Sequence, residues 1–250
     1  MKSKIIIGAW LLTLASFVSR IYADDIYKAV KPPTNWQIDE RIAYSNNNKG
    51  IESLTNNLIL KYWDGNKFGK WGFINLPYKQ INSPKDSKNG IGDIAVGAGP
   101  RGTIKDLHYF LYAALTFPTG NSEANLGNGR YDSKVGLMTT YLTFDKRYEL
   151  DGIIEYTWTG KNKNGINPIN EIYAGLLAGG KINSKVRAVS GFTGLVKGDN
   201  YLIDLRVISR YIFSKKWHIQ LVLDKNIKNV NLPKKKYQAG FYGFYIRHNF

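Results

Sequence analysis

From residue 36 onward the chain alternates apolar and polar residues with a period of two, segment after segment, with turn-forming residues between the segments. The alternation predicts strands near 36–44, 53–63, 68–78, 91–100, 107–117 and 131–143. Six more are predicted near 147–159, 170–182, 185–196, 200–213, 216–225 and 237–250. Trp217, Ile219, Leu221 and Leu223 point one way, His218, Gln220 and Asp224 the other. Ile203, Leu205, Val207, Tyr211 and Phe213 likewise oppose Asp204, Arg206 and Arg210. A soluble β-sandwich alternates too, so the period alone does not choose the architecture.

The connections choose it. After even-numbered segments they are short: "DGNK", "RGTIKD", "DKR", "NS" and "SKK". After odd-numbered segments they are mostly long and polar, as in "KQINSPKDSKNG", "PTGNSEANLGNGR" and "KNIKNVNLPKK", with "KGDN" near 197–200 as the exception. A sandwich has no reason to sort loop length by parity, whereas an antiparallel transmembrane β-barrel has short turns at one rim and long loops at the other. The expected fold is therefore all-β, a barrel of about 12 strands. Lipid supplies no hydrogen bonds to exposed amides, so the last strand must close the sheet on the first. In that last strand Tyr242, Phe244, Ile246 and Phe250 share the apolar face, in the manner of the C-terminal signal that barrel-assembly machinery reads.

Residues 1–23 join a basic start, Lys2 and Lys4, to an apolar run from Ile5 to Val18 and the small residue Ala23. This reads as a secretory signal peptide cleaved after Ala23, the alternative being a buried N-terminal helix. The barrel domain is then 24–250. Removing Lys2, Lys4 and Arg20 leaves 32 basic against 19 acidic residues, a formal charge of +13. In an exported chain that excess points to an anionic membrane surface rather than to nucleic acid. With no cysteine there is no disulfide, thiolate metal site or lipoprotein anchor. Tyr, at 17 residues, outnumbers Phe, at 11, as suits rings placed at a membrane interface.

Several motifs invite other readings. "GAGPRG" at 97–102 fits the glycine spacing of a dinucleotide loop, but Pro100 interrupts it and a strand rather than a helix follows. "LGNGR" at 126–130 lacks the Lys-Ser/Thr of a phosphate loop. His108, His218 and His248 fall on three strands without metal-ligand spacing, so neither metal nor cofactor is expected. His248 is the one candidate base for a lipid-modifying activity. No serine stands two residues from it, and a polar aromatic at the interface is the blander alternative. The expectation is no enzyme.

The stretch 115–136, "LTFPTGNSEANLGNGRYDSKVG", carries the most specific pattern. Gly92-Asp93, Pro118-Thr119-Gly120, Leu126-Gly127-Asn128-Gly129, Asp132 and Tyr156-Thr157-Trp158-Thr159-Gly160 together resemble the meta-pathway phenol-degradation family of outer-membrane transporters. The resemblance implies passive uptake of small molecules, aromatic or hydrophobic ones included, through a bacterial outer membrane. Its alternative is a barrel that does not transport: a lipid-modifying enzyme, or a structural or adhesive surface protein. Strand parity turns Asp132, Glu149, Asp151 and Glu155 inward on one side, and Arg187, Arg206, Arg210 and Arg247 on the other. That arrangement leads to an expectation of opposed acidic and basic walls, with cross-strand pairing of the charges as the alternative. Tyr112, Tyr173 and Tyr245 would face the solute path with them. The expected partners are outer-membrane lipid and lipopolysaccharide on the lysine-rich long loops, the assembly machinery and periplasmic chaperones, and a small-molecule solute; nucleic acid is not among them.

Overall fold

The computed structural model describes residues 36–46, 51–64, 68–84, 86–143, 145–161, 168–214, 217–230 and 241–249. The signal-peptide segment 1–23, Phe250 and Lys234 to Lys236 lie outside these residues. The strands are β1 (Trp36–Asn46), β2 (Glu52–Trp63), β3 (Phe68–Asn82), β4 (Ser87–Ile91), β5 (Ile94–Ile104) and β6 (Leu107–Phe117). They continue with β7 (Asp132–Leu142), β8 (Tyr148–Thr159), β9 (Glu171–Lys181) and β10 (Val186–Lys197). The last three are β11 (Asn200–Ile212), β12 (Trp217–Val230) and β13 (Phe241–Asn249).

Every barrel strand runs antiparallel to its neighbours, and the sheet closes where β1 pairs β13, with Ile38 opposite His248 and Ile42 opposite Phe244. Twelve strands form the ring. The thirteenth, β4, is a short piece that pairs only the end of β3, between Tyr78–Asn82 and Ser87–Ile91. The sequence places a strand at 91–100, but the barrel strand starts at Ile94, and β4 extends a hairpin past the rim. "SKNGI" does not alternate, so nothing in it announces a strand. β5 continues to Ile104 and turns through Lys105 and Asp106 alone, with Lys105 at φ 52°. The predicted turn "RGTIKD" is thus mostly strand.

Outward residues are apolar along the middle of the barrel: Leu58, Leu60, Ile74, Leu76, Leu111, Leu137, Ile154, Leu176, Phe192 and Leu221 are all exposed. Aromatic rings flank this band at both rims. Trp36, Tyr62, Tyr141, Tyr148 and Trp217 sit toward the short turns, and Tyr78, Tyr131, Trp158 and Tyr242 toward the long loops. Such a surface would not stay apart in water; it fits a bilayer core between two interfaces. Tyr242, Phe244 and Ile246 lie on this outer face, with Tyr242 near Tyr44 across the closing seam. His248 is also on the outside, its ring stacked on Trp217 at 4.2 Å. Among the described residues no helix is long and apolar enough to cross a membrane.

Candidate functional site

The interior is filled by side chains of two kinds. One sector, from β7 round to β1, is charged. Arg206 makes a two-pronged bond to Asp224, Nε to Oδ1 and a terminal nitrogen to Oδ2, each 2.7 Å. Arg187 donates to Glu149 at 2.6 Å, Lys134 to Glu155 at 3.1 Å and Lys197 to Glu171 at 2.5 Å. Tyr112 also donates to Glu155. Asp151 accepts from Thr140 at 2.7 Å, and Arg210 donates to Gln220. Across the seam Asp39 gathers Arg247, Arg41 and Lys61, the last two at 2.8 Å. Tyr245 lies beneath the Arg41 guanidinium, 5.3 Å from its ring centre.

These residues lie where strand parity put them, on the inner face, yet the charges are not separated into walls. Acids and bases neighbour each other strand by strand. Among the described residues, nine buried bases (Arg41, Lys61, Lys79, Arg101, Lys134, Arg187, Arg206, Arg210, Arg247) meet nine buried acids (Asp39, Asp93, Asp132, Glu149, Asp151, Glu155, Glu171, Asp204, Asp224). Among the described residues the buried charges therefore balance. The reason is the cost of an uncompensated charge in a low-dielectric interior. Lys185 is exposed in the turn before β10.

The other sector, β2 to β6, is aromatic toward the short-turn end. Trp63 and Trp71 stack at 5.5 Å and 15°, and Phe110 meets both edge-on at 5.1 and 5.5 Å. Tyr112 and Phe73 flank Trp71 at 5.6 and 5.5 Å. The Arg101 guanidinium sits over Trp63 and Phe110, 5.5 and 5.7 Å from their centres. The glycine-rich strand β5 makes room for these rings: a Cβ on Gly97 would collide with the Phe73 ring. "GAGPRG" is thus a seat for aromatic side chains, not a phosphate loop. Tyr112 is the predicted path residue that joins this cluster. Tyr173, also buried, lies on β9 in the charged sector. Sequence reading missed Trp63, Trp71, Phe73 and Arg101, whose alternation in β2, β3 and β5 was available but whose mutual contacts were not.

Above both sectors, the connection from β6 to β7 is tied down by Asp93. Its carboxylate accepts from the Gly120 N–H at 3.0 Å and the Asn128 N–H at 2.5 Å. Burial raises the Asp93 carboxyl above its ordinary value, against those two donors and Lys79. Thr119 Oγ1 donates to the Gly92 carbonyl and accepts from the Ile94 N–H. Asp132 accepts from Arg130, Asn128 and the Gly160 N–H. Gly127 touches Gly120 and Asp93 too closely for any side chain. The Gly-Asp, Pro-Thr-Gly and Leu-Gly-x-Gly elements of the sequence are thus one clasp over the mouth, with Leu126 buried beneath it.

The sequence model of a family described as "Putative MetA-pathway of phenol degradation" matches residues 35–249. The chain belongs to that family. Its clasp residues and its glycine-rich strand fall inside the matched span. Among solved structures, an outer-membrane channel from Pseudomonas putida F1 superposes with a TM-score of 0.71 at 15% identity, over 87% of this chain and 96% of that one. The NanC porin superposes at 0.58 and 11% identity, over 85% and 100%. The CymD monoaromatic hydrocarbon channel superposes at 0.50 and 9% identity, over 96% and 93%. At these identities the likeness is one of fold, and the fold is that of a bacterial outer-membrane barrel. No curated protein matches the chain.

Proposed function

We propose that the protein is an outer-membrane channel for passive uptake of small molecules, aromatic or hydrophobic ones included, and that it is not an enzyme. One observation carries this reading: among the described residues the barrel interior is occupied by strand side chains, with the β6–β7 connection clasped at the long-loop rim. Trp63, Trp71, Phe110 and Tyr112 are all about 2% exposed or less, and in this reading they close the pathway at rest. Side chains and loops move on nanosecond to microsecond timescales, so such a closure opens without rearranging the sheet. Twelve strands enclose a width between the eight that side chains simply fill and the sixteen or more of an aqueous porin. Membership of the family and the likeness to channels support the reading. So does the aromatic cluster, whose ring faces suit planar apolar solutes.

Arg187, Arg206, Arg210, Arg247, Asp132, Glu149, Asp151 and Glu155 then form the hydrated side of the path, with Tyr112, Tyr173 and Tyr245 as its ring surfaces. At the long-loop end the exposed Lys88, Lys161, Lys225 and Lys228 would meet lipopolysaccharide, each contributing on the order of 1 kcal/mol near an anionic surface. Tyr242, Phe244, Ile246 and Phe250 would be the strand read by the assembly machinery after chaperone delivery, with 1–23 removed on export.

Planar-bilayer recording on the refolded barrel tests the proposal. Brief openings above baseline, made longer in Trp71→Ala, are expected. A folded barrel that never conducts in either form, and whose vesicles admit no aromatic solute, would favour a non-transporting surface protein.

A further inference from the structure

The inner wall formed by β2 and β3 contains polar groups that no described residue satisfies. Ser53, Thr55, Asn57 and Asn75 are all about 1% exposed or less. Neither hydroxyl and neither amide has a hydrogen-bond partner. Thr55 stands directly opposite Lys79 across the β2–β3 ladder, and Asn75 lies four residues from Lys79 on the same face. Lys79 is 6% exposed, and no described residue lies at hydrogen-bonding distance from its ammonium. Asp93 attracts it through space, while its two oxygens accept from the Gly120 and Asn128 amides. The Lys79 ammonium thus has an anion nearby but no hydrogen bond to a described residue, just under the clasp.

We propose that this wall is a binding site for a small solute bearing a carboxylate. The Lys79 ammonium takes the anionic group, the Thr55 hydroxyl donates beside it, and the Asn57 and Asn75 amides hold polar atoms further in. Down the same face of β3, Asn75 leads to Phe73 and Trp71, so an apolar or ring-bearing remainder points toward the aromatic cluster. Two physical facts lead to this chemistry. Buried donors and acceptors are normally satisfied, and the exceptions call for a ligand or water. A cation in such surroundings is compensated by a charge-assisted bond to an anion more effectively than by a neutral acceptor. In the charged sector the strongest cations already have anions of their own, Arg206 on Asp224 and Arg187 on Glu149.

The inference rests on the channel reading for its biological sense but not for its measurement. Benzoate, with benzyl alcohol as the uncharged analogue, is titrated calorimetrically against the full barrel in detergent, and conductance is recorded separately. Benzoate is expected to bind at least tenfold more tightly than benzyl alcohol. Lys79→Gln should remove that preference, Lys79→Arg should keep it within a few fold, and Thr55→Val should weaken benzoate several-fold. Heat-modifiable gel mobility establishes that each variant is folded. Equal binding of the two probes, or benzoate binding unchanged in folded Lys79→Gln, overturns the site. Benzoate binding to a barrel that never conducts would uphold the site and sink the channel. Conductance without benzoate binding would do the reverse.

Discussion

The two sectors of the lumen solve the same problem differently. From β7 to β1, polar groups meet one another: Arg206 with Asp224, Arg187 with Glu149, Arg247 with Asp39. On β2 and β3 the neutral groups Thr55, Asn57 and Asn75 find no hydrogen-bond partner among the described residues, and the rings of Trp63, Trp71 and Phe73 lie further along the same strands. A paired sector is rigid, because breaking any pair leaves a buried charge. An unpaired polar surface gains from a solute that hydrogen-bonds to it. The contrast sets a half of the barrel held by ion pairs against a half whose polar groups are left unmatched by the described residues.

The comparison breaks first at the pairs. Arg206→Ala strands Asp224 and should cost about 3–5 kcal/mol in urea unfolding from lipid vesicles, whereas the apolar double variant R206M/D224L should lie near wild type. A single variant costing under about 1 kcal/mol would show that water already hydrates this sector. Second, Gly97→Leu must push the Phe73 ring out of its seat. Overpacking of this sort costs about 1–3 kcal/mol, and the near-ultraviolet circular dichroism of the stacked tryptophans should change with it.

Third, and with the opposite sign, Asn75→Leu exchanges an unpartnered amide for an apolar group of similar volume. Stability should stay level or rise by up to about 1 kcal/mol, as measured by the urea midpoint, while carboxylate binding falls. A marked loss of stability would mean that the amide is satisfied and that the two sectors do not differ. The smallest effect lies outside the lumen, in the turn between β7 and β8. The Thr143 hydroxyl and the Arg147 N–H donate to Asp145 and hold its carboxyl below the ordinary value of 3.8. A depressed carboxyl stabilises the turn above its unfolded value and loses that contribution as pH falls through the folded one. Exchange of the Arg147 amide, corrected for its intrinsic rate, should be slow near pH 6 and speed up only below about pH 4.

Much of this molecule can be read from its sequence. The alternation in "WHIQLVLD" or "YLIDLRVISRY" assigns each side chain to lipid or lumen, because successive Cβ atoms leave a strand on opposite faces. Loop length by parity assigns each connection to a rim, and closure follows from what lipid cannot do for an amide. The inward positions of Arg187, Arg206, Arg210, Arg247, Glu149 and Tyr112 follow from the same count. What the sequence does not contain is who meets whom. Asp39 and Arg247 stand 208 residues apart and share a salt bridge only because β1 closes on β13. Opposed walls and cross-strand pairs have the same alternation, and only the register separates them. Phe73 reaches into the space left by Gly97 because β3 pairs β5, past the short β4 that nothing in "SKNGI" foretold. Facing is a local property of the backbone and therefore visible in one dimension. Partnership and closure depend on register and on sheet curvature, which arise when the strands assemble, and those the tertiary structure alone decided.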